Sequence, residues 1–293
     1  MDSRTRQANN IMTTKAIYQP KGKAGEYAKW ACNFYVGCSN DCDYCYCKRG
    51  VLAHSMGKPQ PTLKKCFKSE DDAYRVFKKE VDANLQELQK HGLFFTFTSD
   101  PMLNECQKLT FASIDYAIHN RIPCKILTKR ADFIDSLPPY YFATEYRRYI
   151  AFGFTLTGCD ELEPGASTNE DRINTMQLLH ELGFKTFASI EPIISLKKSA
   201  EMIDRTVKFC DLYKIGLMSG KREYSRNDVF RWVSSLFYMI AEYHFANNTK
   251  RPRIYFKDSV LEYIGETRND CPLTTMPNSI TVNADYDLFH TED

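Results

Sequence analysis

The stretch that decides the fold is Gly37-Cys-Ser-Asn-Asp-Cys-Asp-Tyr-Cys-Tyr46, which places Cys38, Cys42 and Cys45 in a C-x3-C-x2-C pattern. Three thiolates this close in sequence can each hold one iron of a [4Fe-4S] cluster. The fourth iron then has no protein ligand, and an open coordination position distinguishes catalytic from structural metal sites. The spacing therefore predicts a catalytic iron–sulfur cluster on these three cysteines.

Two other uses of the cysteines remain open from the residues alone. A closed zinc site needs a fourth protein ligand, which Cys47 or His54 could supply. Disulfides are disfavoured because the chain has 11 cysteines, an odd number, and its first 29 residues lack the apolar core of a signal peptide. We therefore expect a reducing, cytoplasmic environment. Cys47 follows the triplet closely, but the open-site argument leaves it outside the ligand set.

Composition bounds the class of protein. The chain has 293 residues, of which 43% are hydrophobic and 26% charged, as in a globular protein. A net charge of +2 is not the large positive charge that is typical of nucleic-acid-binding domains. No apolar stretch is long enough to predict a membrane span. We expect a polar amino-terminal arm over residues 1–29, a single domain over 30–266 and a carboxyl-terminal tail over 267–293.

Strand-like and helix-like segments alternate from Trp30 onward. Strands are predicted over residues 30–36, 93–98, 124–128, 149–156, 185–190, 212–216 and 253–256. Helices are predicted between them, one capped by Ser69 and ended by Gly92, the others over about 108–120, 169–182, 199–209 and 227–245. Repeated strand–helix units indicate parallel strands with right-handed crossovers. Periodicity alone leaves a partial (β/α)6 barrel and a doubly wound sheet as alternatives.

The cysteine pattern resembles that of the radical S-adenosylmethionine (SAM) enzymes, and further blocks resemble the branch that contains spore photoproduct lyase. These blocks are Asn33–Cys38, Cys42–Tyr46, Thr98-Ser-Asp-Pro101, Leu127-Thr-Lys129, Glu163-Pro164 and Asn169-Glu-Asp-Arg-Ile173. The resemblance implies an α/β fold, a partial (β/α)6 barrel of the TIM type. It also implies a [4Fe-4S] cluster whose open iron binds SAM and cleaves it reductively to a 5′-deoxyadenosyl radical.

Chemistry in such barrels collects at the carboxyl ends of the strands. In this context Ser99 and Asp100 are expected to accept from the SAM ammonium, and Lys129 to pair with the SAM carboxylate. The Thr155 hydroxyl is expected to reach the ribose or the carboxylate. Each of these residues could instead belong to an ordinary turn, a helix cap or a solvated loop.

Four further residues are candidates. Glu191, after the fifth predicted strand, could serve SAM or substrate, and Arg172 lies in the first turns of a helix, where a cation is unfavourable unless it faces an anion. Tyr44 is expected to shield the cluster or pack on adenine, because an aromatic ring excludes water. Tyr46 could pack on adenine or relay a radical.

One departure from the resembled branch concerns hydrogen donation. Spore photoproduct lyases carry a hydrogen-donating cysteine just before the Thr-Ser-Asp block, where this chain has Phe97. Lyase activity on spore photoproduct is therefore in doubt. Cys106 and Cys159 lie near the expected mouth of the barrel, and Cys106 is the candidate to replace the missing thiol. A buried free cysteine is the alternative for both.

Together these patterns predict a cytoplasmic radical SAM enzyme, lyase-like or modifying. It would need an external electron donor such as a flavodoxin or ferredoxin, and nucleic acid is its suggested substrate by family analogy alone. The alternatives are a non-catalytic [4Fe-4S] redox relay or sensor and a zinc-binding interaction domain. Neither alternative needs polar residues at successive strand ends.

Overall fold

The computed structural model describes residues 15–49, 53–220, 222–247, 252–268, 280–282, 286, 288 and 289. The central feature is an eight-stranded sheet in the order β1-β2-β5-β6-β7-β8-β9-β10. Its strands are Ile17–Tyr18 (β1), Ala31–Cys32 (β2), Leu93–Phe95 (β5), Cys124–Thr128 (β6), Ile150–Thr155 (β7), Lys185–Ile193 (β8), Leu212–Leu217 (β9) and Arg253–Phe256 (β10). All neighbouring strands from β2 to β10 are parallel, and β1 pairs antiparallel with β2.

Helices connect the parallel strands, as the alternating pattern predicts. They are Ala53–Met56 (α1), Glu70–Ala83 (α2), Leu85–His91 (α3), Asn104–His119 (α4), Thr144–Arg147 (α5), Asn169–Glu181 (α6), Leu196–Thr206 (α7), Arg226–Asn247 (α8) and Asp258–Ile264 (α9). The predicted Ser69 cap is confirmed, since its side chain accepts from the backbone N–H of Asp72. The mostly parallel α/β architecture is confirmed and is consistent with a partial barrel.

The prediction of one continuous strand over residues 30–36 is wrong. The segment divides into β2 and a second strand, Tyr35–Val36 (β3), which leaves the main sheet and pairs antiparallel with Thr62–Leu63 (β4). The thiol loop therefore begins from a small separate hairpin. The helix predicted to run from Ser69 to Gly92 is likewise two helices, broken at Asn84.

Two apolar layers hold the sheet. The larger packs helix side chains such as Phe77, Ile114 and Met176 against the outer face of the strands. The smaller lies on the inner face and includes Tyr27, Phe94, Phe187 and Tyr255. Inner and outer faces are thus both apolar, as expected for parallel strands buried on both sides.

The amino-terminal residues that the structure describes pack on this framework. The Glu80 carboxylate accepts from the backbone N–H groups of Lys15, Ala16 and Ile17 at 2.6, 2.9 and 3.0 Å. Tyr27 enters the inner layer. The predicted division into arm, domain and tail stays a prediction, and most of the tail, with Cys271, lies outside the described residues. Among the helices described, none has the length and apolarity that crossing a bilayer requires.

Gly153, in the middle of β7, yields the first testable prediction. A Cβ atom built there would lie 2.1 Å from Cζ of Phe187, whose ring is buried on the inner face. We expect Gly153→Ala to destabilise the fold by about 1–3 kcal/mol through overpacking, measured by urea unfolding. The double variant Gly153→Ala/Phe187→Leu should recover part of the loss. Unchanged stability in the single variant would contradict this packing.

Candidate functional site

The carboxyl ends of the parallel strands surround a cavity of about 660 Å³. Its wall combines the thiol loop and residues 23–27 with residues at or just beyond the carboxyl ends of β5 to β10. Cys38, Cys42 and Cys45 all line this cavity. The sequence therefore folds so that the three thiols and the predicted strand-end residues share one chamber.

The three thiols are free, as are the other described cysteines. Burial raises the pKa of Cys38 to about 12 and raises that of Cys42. A hydrogen bond from Cys47 lowers the pKa of Cys45 to about 6. A metal bound by Cys38 and Cys42 would therefore displace protons from those two thiols. Within the described parts of the chain, no three His, Cys, Asp or Glu side chains are gathered closely enough to hold a single metal ion.

Lys129 lines the cavity beside the thiols, with its Nζ 5.5 Å from the centroid of the Tyr44 ring. Burial lowers the pKa of Lys129, but the Cys42 thiolate and the Glu163 carboxylate raise it, and the net pKa lies above its ordinary value. A cation held there favours the thiolate form that iron requires. It also provides the positive group that the carboxylate of an amino acid would pair with.

Arg172 is not among the residues that line the cavity, and its role as a cofactor contact stays a prediction. Its side chain is completely buried, and Nη1 donates to the backbone oxygen of Thr155 at 2.6 Å. Nη2 pairs with the Glu163 carboxylate, and the other Glu163 oxygen accepts from the Tyr44 hydroxyl. The anion that Arg172 faces is therefore internal, and the pair holds Tyr44 and the end of β7 in place.

Both carboxylate oxygens of Asp100 accept hydrogen bonds from groups of the protein. Its Oδ1 accepts from Thr128 Oγ1 at 2.6 Å and from the N–H of Met102 at 3.0 Å. Its Oδ2 accepts from Asn40 Nδ2 and from the N–H of Lys129, both at 2.7 Å. All four acceptances are from protein donors, which favours a positioning role over the predicted contact with the SAM ammonium.

Asn40 is a site residue that the sequence did not single out. Because its amide nitrogen donates to Asp100, its Oδ1 must be the free acceptor. This oxygen is buried without a partner, and the residue lines the cavity between Cys38 and Cys42. A buried acceptor left unpaired is costly, and Asn40 therefore stands out among the polar residues beside the thiols.

Of the remaining predicted residues, some line the cavity and others are buried away from it. Ser99, Thr155 and Tyr46 line the cavity, and the Tyr46 hydroxyl donates to the backbone oxygen of Phe97. Cys106 is buried in α4, with its Sγ 3.7 Å from Ser99 Oγ, and it does not line the cavity. Its assignment as a catalytic thiol stays a prediction. Cys159 is buried as well.

Opposite the thiols, Glu191 is held in a polar cluster. Its Oε2 accepts from the Tyr27 hydroxyl at 2.7 Å, and both oxygens accept from Lys257 Nζ at 2.9 Å. The Tyr27 hydroxyl also contacts Ser189 Oγ at 2.6 Å. A Cβ at Gly216 would lie 2.7 Å from Glu191 Cδ, so that glycine makes room for the cluster. Tyr27 and Lys257 carry no local motif, and sequence reasoning missed both.

Comparisons with known proteins agree with the fold. No family model matches the chain. The uncharacterized protein MJ0683 of Methanocaldococcus jannaschii is 24% identical over 206 residues, which cover 66% of this chain and 72% of that protein. The structure of spore photoproduct lyase complexed with dinucleoside spore photoproduct superposes with a TM-score of 0.52 and 18% identity, over 77% of this chain and 64% of that one. SuiB of Streptococcus suis superposes with a TM-score of 0.51 and 13% identity, over 80% and 50%.

Both solved relatives are radical SAM enzymes. The resemblance to the spore photoproduct lyase branch is thus confirmed at the level of the fold. The chain spans 60% to 77% of the length of the spore photoproduct lyase chains that it matches, and half that of SuiB.

Proposed function

We propose that this protein is a radical SAM enzyme in which Cys38, Cys42 and Cys45 hold a [4Fe-4S] cluster. The observation that carries the proposal is the convergence of three free thiols and Lys129 on one cavity at the strand ends. One thiol per iron leaves one iron for a ligand. When bound, the cluster and SAM would supply a 5′-deoxyadenosyl radical for hydrogen abstraction from the substrate.

The residues around the thiols fit the polar groups of SAM. Lys129 would pair with its carboxylate, and Ser99 would accept from its ammonium. Ser99 and Thr155 would contribute hydroxyl groups from the ends of neighbouring strands. Asp100 would act through Asn40 and Lys129, since it bonds to both. The chain's contribution is to position these groups and exclude water, because the cofactors carry the difficult chemistry.

Tyr44 has a defined place in this arrangement. Its hydroxyl is fixed by Glu163, and its ring faces Lys129. We assign it to shielding the cluster side of the cavity, since a ring held in one orientation excludes water from a redox centre.

The substrate and the electron donor are also proposals. Nucleic acid is the proposed substrate, and cationic side chains that line the cavity, such as Lys23, offer partners for its phosphates. A matched lyase structure contains a dinucleoside photoproduct. The same reaction is not proposed here, because Phe97 cannot donate a hydrogen atom as a thiol does. A cytoplasmic flavodoxin or ferredoxin would deliver the electron.

The test is SAM binding to the cluster. After anaerobic reconstitution and reduction, we expect SAM to change the electron paramagnetic resonance spectrum of the cluster. Lys129→Met should weaken the apparent SAM affinity about 10- to 100-fold, the scale of a lost charged hydrogen bond. The control is Lys58→Met, which removes an exposed lysine from the mouth of the same cavity and should leave the affinity unchanged.

Three outcomes would count against the proposal. A cluster whose electron paramagnetic resonance spectrum does not change when SAM is added would favour a non-catalytic redox or sensor protein. Tightly bound zinc with no cluster would favour an interaction domain. Equal effects of the two lysine substitutions would remove Lys129 from the SAM site.

A further inference from the structure

We propose that Phe97 is a stacking platform for a planar ring of the substrate, a role that rests on the proposed function because it concerns the same cavity. Phe97 lies just after β5 and lines the cavity, where its side chain is partly exposed. A thiol would be expected at this position by resemblance to the lyase. The ring that replaces it changes what the wall can do: it cannot give up a hydrogen atom, but it can bind another ring.

The Phe97 ring lines the cavity while packing on aromatic neighbours. Phe94, which is buried and does not line the cavity, stacks on it at 4.5 Å between centroids with 21° between planes. Tyr27 meets it edge-on at 6.0 Å and 72°. The part of the ring that lines the cavity is where a second ring would stack, and aromatic pairs add stabilisation beyond the area they bury.

The backbone of Phe97 is fixed from two directions. Its N–H donates to Asn33 Oδ1 at 2.9 Å, and its carbonyl oxygen accepts from the Tyr46 hydroxyl. Asn33 is itself held, since its Nδ2 donates to the Tyr18 hydroxyl at 2.8 Å. Because the Phe97 backbone is held on both sides, the residue loses little conformational freedom when a ligand stacks on its ring. This is the basis of preorganised binding.

Charge identifies the kind of ring. Lys23 lines the same cavity as Phe97. Lys129 and Lys257 line it as well, but Lys257 pairs with Glu191, and Lys129 is assigned to the SAM carboxylate. A planar ring joined to a phosphate matches an aromatic wall with Lys23 beside it. The inferred occupant is therefore the base of a nucleotide unit, with its face on Phe97.

Ligand binding to the reconstituted protein without SAM tests this directly. The probe is uridine 5′-monophosphate, and ribose 5-phosphate is its ringless counterpart, both measured by calorimetric titration. We expect Phe97→Leu to weaken uridine 5′-monophosphate binding about 5- to 100-fold, the range for one base on one aromatic side chain. Ribose 5-phosphate binding should not change. Phe97→Tyr keeps the ring and should stay within about twofold of the unsubstituted protein.

Three results would overturn the inference. One is a Phe97→Leu protein that binds the nucleotide as well as the parent, and another is an unsubstituted protein that binds both probes equally. The third comes from a separate SAM titration of the cluster spectrum: an equal loss of SAM affinity in Phe97→Leu would assign Phe97 to the adenine of SAM. Unchanged thermal unfolding of both variants is the folding control. Because no SAM cleavage is needed, failure here is distinct from failure of the proposed function.

Discussion

Replacing Cys42 with Ala is expected to remove the cluster and all SAM cleavage together. A three-thiolate site that loses one ligand must hold its cluster through two residues, and Cys42 is the most buried of the three thiols in the cavity. Iron content after anaerobic reconstitution should fall from about four atoms per chain to a small fraction of that. Iron and sulfide analysis, with the visible absorption of the cluster, measures the effect.

Cys47→Ala is the matched control, because Cys47 lines the same cavity two residues beyond the motif. It should retain the cluster, with altered spectroscopic properties at most, since Cys47 donates to the Cys45 sulfur. If Cys47→Ala lost the cluster and Cys42→Ala kept it, the ligand set would be misassigned. Full SAM cleavage by Cys42→Ala would contradict the account outright.

The largest effect on stability is expected for Arg172→Met. The variant leaves the Glu163 carboxylate buried without its cation, and both side chains of the pair are completely inaccessible in the parent. Breaking such a pair costs about 3–5 kcal/mol, because the remaining charge has no solvent to replace its partner. The free energy of unfolding, measured by urea titration of the metal-free protein, should fall by that amount.

Two further variants separate charge burial from packing. Arg172→Met/Glu163→Gln removes both charges and should recover part of the loss. Arg205→Met breaks the exposed pair with Glu170 and should cost less than about 1 kcal/mol. A cost for Arg172→Met as small as that for Arg205→Met would show that the pair does not hold the site together.

Much of the framework was predictable because it follows local rules. Apolar runs that alternate with helical periodicity predict the parallel strands, and Ser69 predicts the amino-terminal cap of α2. The cysteine spacing located the thiol loop, and the strand-end rule placed Ser99, Lys129 and Thr155 on one cavity. Their ligands and roles remain predictions.

What a polar side chain faces depends on partners that are distant in sequence, and a local pattern does not contain them. The helix position of Arg172 predicts that it faces an anion, and Glu163 supplies that charge inside the protein. Asp100 is predicted as a SAM contact, and Asn40 of the thiol loop and Thr128 at the end of β6 donate to its carboxylate. Tyr27 was missed because only the folding of residues 22–29 over the sheet brings it to Glu191.

Production of 5′-deoxyadenosine is the measurement that tests the central claim most directly. The protein is reconstituted anaerobically, reduced with dithionite and given SAM, and the products are separated by chromatography beside those of Cys42→Ala. The account predicts 5′-deoxyadenosine from the unsubstituted chain and none from the variant. A fully loaded cluster that binds SAM but yields no 5′-deoxyadenosine under any reductant, with or without an oligonucleotide, would contradict it.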